Sequence, residues 1–201
     1  NSWKDENMVK INREAFLRTL ESVQAGVASR EIVEQSTSFV LRDGDVCTFN
    51  DEVSCKAPSL LGNEFTGAVR ADPLLKVLVR LKADTLEVSQ TDSELRLKAK
   101  SESVGLRMEK EILLPLDAVD EPEAWLPLPP EFADAVATVQ GCAGSDQTQF
   151  VLTCIHVHPK WLEACDDFQM CRYRLKTGFS QPVLLRQESI KHLATAGMSE
   201  F

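Results

Sequence analysis

Apolar positions along the chain follow two periods. Phe16, Leu17, Leu20, Val23 and Val27 recur at helical spacing, which predicts one amphipathic helix, capped by Asn12 and ended by Gly26 and Ser29. Residues 8–11 ahead of it read as a short strand. Residues 38–41, 46–49, 53–57 and 65–70 read as further strands, with an Asp43-Gly44 hairpin turn after the first. Asp72-Pro73 predicts a second helix, with Asp72 as N-cap and Pro73 at the first helical position. Leu74, Leu75, Leu78, Val79 and Leu81 form its expected buried side. Residues 85–89, 95–99 and 104–108 predict three more strands, and Thr91-Asp92 suits the turn between the first two.

An apolar run at 112–116 reads as a strand or a docked extension. The acidic stretch 117–124, which contains Pro122, reads as a linker. Beyond it, Pro129-Pro130 precedes a helix with Phe132, Ala135, Val136 and Val139 inward. Residues 141–147 predict a loop, 150–157, 161–165, 170–175 and 182–185 four strands, and 188–196 a helix. The two halves repeat at one ungapped offset of about 116 positions. Phe16, Leu20 and Val23 recur as Phe132, Val136 and Val139, and Phe39 and Leu41 as Ile155 and Val157. Asn50-Asp51 and Cys55 recur as Asp166-Asp167 and Cys171, Arg70 as Arg186, and Leu74 and Val77 as Ile190 and Leu193. The reading is a duplicated α+β domain, each copy with two helices packed on antiparallel sheets: a first domain over 8–116 and a second over 125–201. The first copy continues for three strands past its second helix and the second does not. The second is therefore expected to lack about its last 30 residues, leaving a sheet edge for another chain to cover or marking a fragment.

The formal net charge of −9 argues against a simple basic nucleic-acid binder, though not against a local basic surface. With no run of about 18 apolar residues and no secretory signal, the expectation is a cytoplasmic protein that makes no membrane contact. Cys47, Cys55, Cys142, Cys154, Cys165 and Cys171 form no C-x-x-C pair and read as free, largely buried thiols. His156 and His158 share a strand face near Asp166 and Asp167, as a metal hydrolase could use. Asn50-Asp51 repeats the acidic pair in a copy with no histidines, which favours a structural turn instead. Gly62, Gly67 and Gly105 build no phosphate loop, and Asp43-Gly44-Asp45 is too short to hold calcium. The expectation is no catalytic residue, no metal and no cofactor.

Trp161-Leu162-Glu163-Ala164-Cys165-Asp166-Asp167-Phe168-Gln169-Met170 resembles the strand that ends Ala-Thr-Asp-Gly-His-Arg-Leu in the bacterial DNA polymerase III β sliding clamp family. Pro182-Val183-Leu184-Leu185-Arg186-Gln187-Glu188 is similar to that family's Val-Ile-Val-Pro-Arg-Lys strand and helix start. Leu126-Pro127-Leu128-Pro129, Val9-Lys10-Ile11 before Arg13-Glu14-Ala15-Phe16-Leu17, and Val69-Arg70-Ala71-Asp72-Pro73-Leu74-Leu75 resemble other landmarks of its first two domains. The resemblance runs from about Met8 to Gly197. It departs at Gln169, where the family has Arg, and by the absence of a third domain.

The resemblance implies the DNA clamp fold: helices lining a central hole, sheets outside, and a homo-oligomeric ring around double-stranded DNA that tethers the polymerase without chemistry of its own. It implies phosphate-tracking cations at Arg13, Arg18, Arg30, Lys76, Arg80 and, on the second domain, Lys191. The second domain's first helix carries Glu131 and Asp134 and no Lys or Arg, and Asp146 and Gln147 fill a loop where a DNA contact is expected. The resemblance also implies half of a pocket for DNA polymerase and clamp-loader peptides, formed by Leu152, Cys165, Phe168, Gln169 and Met170. The alternative is a clamp-like protein-interaction module that no longer encircles DNA.

Overall fold

Alternation on the strands and a 3.6-residue period on the helices commit one face of each sheet to a pair of helices. The computed structural model describes residues 7–118, 123–195 and 198–200. It separates into two units, Asn1–Asp120 and Glu121–Phe201. Residues 119–122 of the expected linker, the expected helix end at Ala196, and residues 197 and 201 lie outside the described residues, as does the Leu193 side chain.

The first unit runs β1 (Asn7–Asn12), α1 (Arg13–Ser22), β2 (Ser38–Arg42), β3 (Asp45–Phe49), β4 (Ser54–Pro58), β5 (Gly67–Arg70), α2 (Ala71–Arg80), β6 (Thr85–Gln90), β7 (Glu94–Ala99) and β8 (Glu102–Glu109). The strands form one antiparallel sheet in the order β1-β6-β7-β8-β5-β2-β3-β4. β8 joins the halves, pairing β7 along its length and β5 at Val69↔Met108 and Ala68↔Glu109. Asn12 caps α1 as expected, its Oδ1 accepting the Ala15 N–H at 2.9 Å. Asp43 and Gly44 both have positive φ (54° and 86°), the backbone a two-residue hairpin needs. The inner face buries Phe16, Leu20, Phe39, Leu41, Val69, Leu74 and Leu78 in one core. Each such side chain contributes about 1.5–3 kcal/mol relative to exposure.

The second unit runs α3 (Phe132–Val139), β9 (Cys154–His158), β10 (Trp161–Cys165), β11 (Met170–Arg174), β12 (Val183–Arg186) and α4 (Gln187–Thr195), with sheet order β11-β10-β9-β12. Its core gathers Phe132, Val136, Val139, Ile155, Val157, Leu162 and Ile190. β9, β10, β11 and β12 repeat β2, β3, β4 and β5 residue for residue: Ser38 maps to Cys154, Asp45 to Trp161, Ser54 to Met170 and Gly67 to Val183. The sequence repeat is therefore a structural one.

Several expectations are corrected. α1 ends at Ser22 and a 3-10 turn, Gln24–Gly26, follows, so Val23 is buried as a cap residue rather than within a helix. α2 begins at Ala71, and Asp72 does not cap it; it sits in the first turn and accepts from Lys76 Nζ at 2.7 Å. Pro73 lies in that same turn, where the missing N–H has no partner to lose. Val79 is 65% exposed, because α2 turns it away from the sheet that holds Leu74 and Leu78. Phe150–Thr153 is a 3-10 turn rather than the start of a strand. Of the two readings of residues 112–116, the docked extension holds and the strand does not. These residues dock on the outward face of the first sheet, where Leu114 is buried against Val40, Cys47 and Ala68, with Ile112 and Leu116 packed alongside. Buried Gln35 holds this extension: its Oε1 accepts from Leu113 N at 2.8 Å, and its Nε2 donates to Glu111 O at 2.8 Å.

The repeats exchange sizes at one contact. A Cβ on Gly26 would lie 2.3 Å from Thr48 Oγ1; at the matching positions the second unit has Cys142 and Ala164. Gly26→Ala is expected to destabilise the first unit by about 1–3 kcal/mol through overpacking. Adding Thr48→Ala should restore part of that loss in urea unfolding; no recovery would contradict the size exchange.

Candidate functional site

Two surfaces carry the candidate chemistry. On the helical side of the first unit, Arg18, Lys76 and Arg80 are exposed, and Arg30 is exposed in the loop after α1. Arg18 pairs with Glu14 and Lys76 with Asp72, both one helical turn away. Among the described residues, Arg30 and Arg80 hold no ion pair. Arg13 is differently placed. Its Nε donates to Ala83 O and its Nη1 to Leu78 O, both at 3.1 Å, so it caps the carbonyl end of α2. In the second unit Lys191 is exposed on α4, Asp134 is the one charged residue of α3, and Asp146 stands where the first unit has Arg30.

The second surface is the outward face of the second sheet. Alternation places Cys154, His156 and His158 of β9, Trp161, Glu163 and Cys165 of β10, and Met170, Arg172 and Arg174 of β11 on that face. Leu184 and Arg186 of β12 complete it. Strand register lines Arg172, Glu163, His156 and Leu184 into one row across the sheet. A cavity of about 470 Å³ opens over this row, walled by Val151, Leu152, Cys165, Met170, Pro182 and Leu184, among others.

The polar floor is tightly bonded. Glu163 Oε1 meets His156 Nδ1 at 2.8 Å, and its Oε2 accepts from Arg172 Nε at 2.6 Å. Burial acts to raise the Glu163 pKa, but hydrogen bonds from His156 and Arg172 outweigh it and hold the carboxyl below its ordinary range. Arg172 also lies 4.8 Å from the Trp161 ring centroid, and His158 stacks on the same ring at 3.5 Å. Trp161 Nε1 is buried without a well-formed hydrogen bond, although it lies close enough to Glu163 to favour the ionised form.

Of the five residues expected in the pocket, Leu152, Cys165 and Met170 line the cavity, whereas Phe168 and Gln169 do not. Phe168 is 95% exposed at the tip of the β10–β11 turn. That turn is the one in the first repeat: Asn50 Oδ1 accepts from Glu52 N and Val53 N, and Asp166 Oδ1 accepts from Phe168 N and Gln169 N. The Asn50 amide also donates to Ala25 O, which an aspartate cannot do. In the second repeat Gln169 Nε2 makes the matching bond, to Gly141 O at 3.1 Å. Gln169 thus replaces a structural donor. The sequence singles out His156 only as a candidate metal ligand, and Glu163 and Arg172 not at all, because a row across a sheet joins residues far apart in sequence. The signal available was the polar, alternating character of three neighbouring strands.

The histidines do not converge on a shared point: His156 is bonded to Glu163, and His158 is stacked on Trp161 and accepts from Lys160 N. Among the described residues no cluster of three or more His, Cys, Asp or Glu could hold a metal ion. Burial raises the Cys47, Cys55 and Cys142 thiols, which disfavours the thiolate a nucleophile needs. All six cysteines are free, two of them buried. Among the described residues no helix is long and apolar enough to cross a membrane.

No known family profile and no curated protein match the chain in sequence. Solved structures do match its shape. The β chain of DNA polymerase III from Streptococcus pneumoniae superimposes with a TM-score of 0.76 at 17% identity, over 94% of this chain and 56% of that one. The corresponding β subunit from Thermotoga maritima gives 0.72 at 15% identity, over 96% and 57%. A DnaN sliding clamp from Bartonella birtlesii, solved bound to griselimycin, gives 0.76 at 16%, over 96% and 58%. The protein therefore has the sliding-clamp fold, mixed α+β with antiparallel sheets. It resembles DNA polymerase III β subunits in particular, and spans a little over half the length of these relatives.

Because Glu163 has a lower pKa folded than unfolded, its contribution to stability is present above the ordinary value of about 4.5 and is lost as pH falls below it. Glu163→Gln is expected to flatten that acid limb of the second unit's unfolding. A limb of unchanged steepness would show that the carboxylate is not held as described.

Proposed function

We propose that the chain supplies clamp domains to a homo-oligomeric ring that slides on double-stranded DNA and tethers a DNA polymerase, with no catalysis of its own. The observation that carries this reading is the clamp fold combined with the cationic helical face of the first unit. Arg30 and Arg80 are its least encumbered cations, Arg18 and Lys76 are held only by exposed one-turn pairs, and Lys191 adds a charge on the second unit. Exposed pairs of this kind are worth little and exchange readily for phosphate. Arg13 serves this reading indirectly, by fixing α1 to the end of α2. Partner peptides of the polymerase and the clamp loader would enter the cavity lined by Leu152, Cys165 and Met170, with Phe168 beside it. The place of action is the cytoplasm, where chromosomal DNA is copied in bacteria.

The acidic α3 favours a second reading, in which the same fold serves as a protein-interaction module that does not encircle DNA. Retention on DNA separates the two. A ring should stay on closed circular DNA and leave when the circle is cut, and Arg30→Glu with Arg80→Glu should weaken duplex binding by about tenfold or more at low salt. Equal retention on circular and linear DNA, unaffected by the double variant, would refute the ring.

A further inference from the structure

Each repeat sets a 3-10 turn against its sheet. In the first unit this is Gln24–Gly26, packed on β3 and β4; in the second it is Gln140–Cys142, packed on β10. Thr48 and Cys55 stand directly opposite each other in the first sheet, as Ala164 and Cys171 do in the second. A Cβ on Gly26 would lie 2.3 Å from Thr48 Oγ1, so the last residue of the turn points at this strand pair. The backbone at Gly26 is not in the left-handed region, and it is the Thr48 hydroxyl that keeps a side chain out.

The second unit removes that hydroxyl. Ala164 stands at the place of Thr48 and Cys142 at the place of Gly26, so a thiol enters the space beside Cys171. Cys142, Ala164 and Cys171 pack in one apolar cluster with Val139 and Leu162. Burial first, then the Cys171 thiol and the Asp166 carboxylate, push the Cys142 thiol up, which places the two sulfurs within each other's reach. Both thiols are free and half-buried, open to a solute as small as water. Cys55, the counterpart of Cys171, faces Gly26 and has no thiol there to join. The segments that follow α2 in the first unit lie elsewhere. Strands β6, β7 and β8 join the sheet through β5, at the far end from β4, and residues 112–116 lie on the opposite face. The thiol pair is thus a property of the turn and the two strands alone, independent of the DNA and peptide readings.

We propose that Cys142 and Cys171 form a redox-sensitive dithiol, which hydrogen peroxide oxidises to a disulfide tying the turn after α3 to the edge strand β11. Cys171 Sγ, as thiolate, attacks one peroxide oxygen. The O–O bond breaks, hydroxide leaves and takes up a proton as water, and a sulfenic acid remains on Cys171. Cys142 Sγ then attacks that sulfur, the S–O bond breaks, and the hydroxyl leaves with the Cys142 proton as a second water. Two thiols give up two electrons and two protons, and one peroxide becomes two waters. The new bond closes a loop holding β9, β10 and the β10–β11 turn, beside the hydrogen bond from Gln169 Nε2 to Gly141 O. Oxidation therefore stiffens the turn that presents Phe168.

The test treats the whole folded protein with a slight excess of hydrogen peroxide and then alkylates it. Thiol titration is expected to show two thiols lost. Chymotryptic cleavage after Phe150 and Phe168 parts Cys142 from Cys154 and Cys165 from Cys171, so mass spectrometry identifies the joined pair. The thermal midpoint of the second unit should rise by about 5 °C or more and return with dithiothreitol. Cys142→Gly, which restores the first unit's residue, and Cys171→Ser should each abolish the crosslink and the shift; Cys154→Ser with Cys165→Ser should keep both. Gly26→Cys with Thr48→Ala, shown to be folded by circular dichroism, should carry the crosslink to Cys55. A crosslink through other cysteines, loss of thiols without a crosslink, or no loss of thiols would overturn the proposal. A folded Gly26→Cys, Thr48→Ala variant that does not crosslink would overturn the geometry on which it stands.

Discussion

Each sheet in this protein must bury one face under two helices, and the rest of the structure follows from that constraint. A strand shows alternate residues to opposite faces, so Ile155 and Val157 face the core while His156 and His158 cannot. The core face is nearly fixed by packing, and the two repeats keep it apolar at matched positions. The outward face is free to diverge, and there the repeats part. In one, residues 112–116 lie on the outward face; in the other, Glu163, His156 and Arg172 bond one another there.

The same freedom explains the compensations between repeats. The bond from Arg70 Nη2 to Glu31 becomes one from Arg186 Nη2 to Gln147, which keeps the geometry and drops the charge pair. The donor lost when Asn50 became Asp166 returns from Gln169. Thr48 beside Gly26 becomes Ala164 beside Cys142. Each exchange keeps the same two segments joined while changing the side chains that join them. The helical faces diverge as well, with Arg30 giving way to Asp146 and Lys76 to His192.

Much of the fold was legible because its signals are periodic and short in range. The strands of the second unit, the Asn12 cap and the Asp43-Gly44 turn each depend on neighbouring residues. Phe150-Val151-Leu152 was misread because a short apolar run suits a strand or a helical turn equally. Val79 was placed inside by composition, yet the phase of α2 turns it out. The site was less legible. Leu152, Cys165 and Met170 were found through the resemblance, but Gln169 had been diverted to a structural bond. The charged row of Arg172, Glu163 and His156 exists only once register brings three strands together.

The central claim is a division of labour: phosphate on the helical face of the first unit, peptide on the outward sheet face of the second. Hydrogen exchange of the intact protein, read separately with duplex DNA and with a partner peptide of the polymerase, tests it most directly. The account predicts that DNA slows exchange around α1, Arg30 and α2, and that the peptide slows it around residues 150–172 and β12. Protection of one common region by both ligands would contradict it.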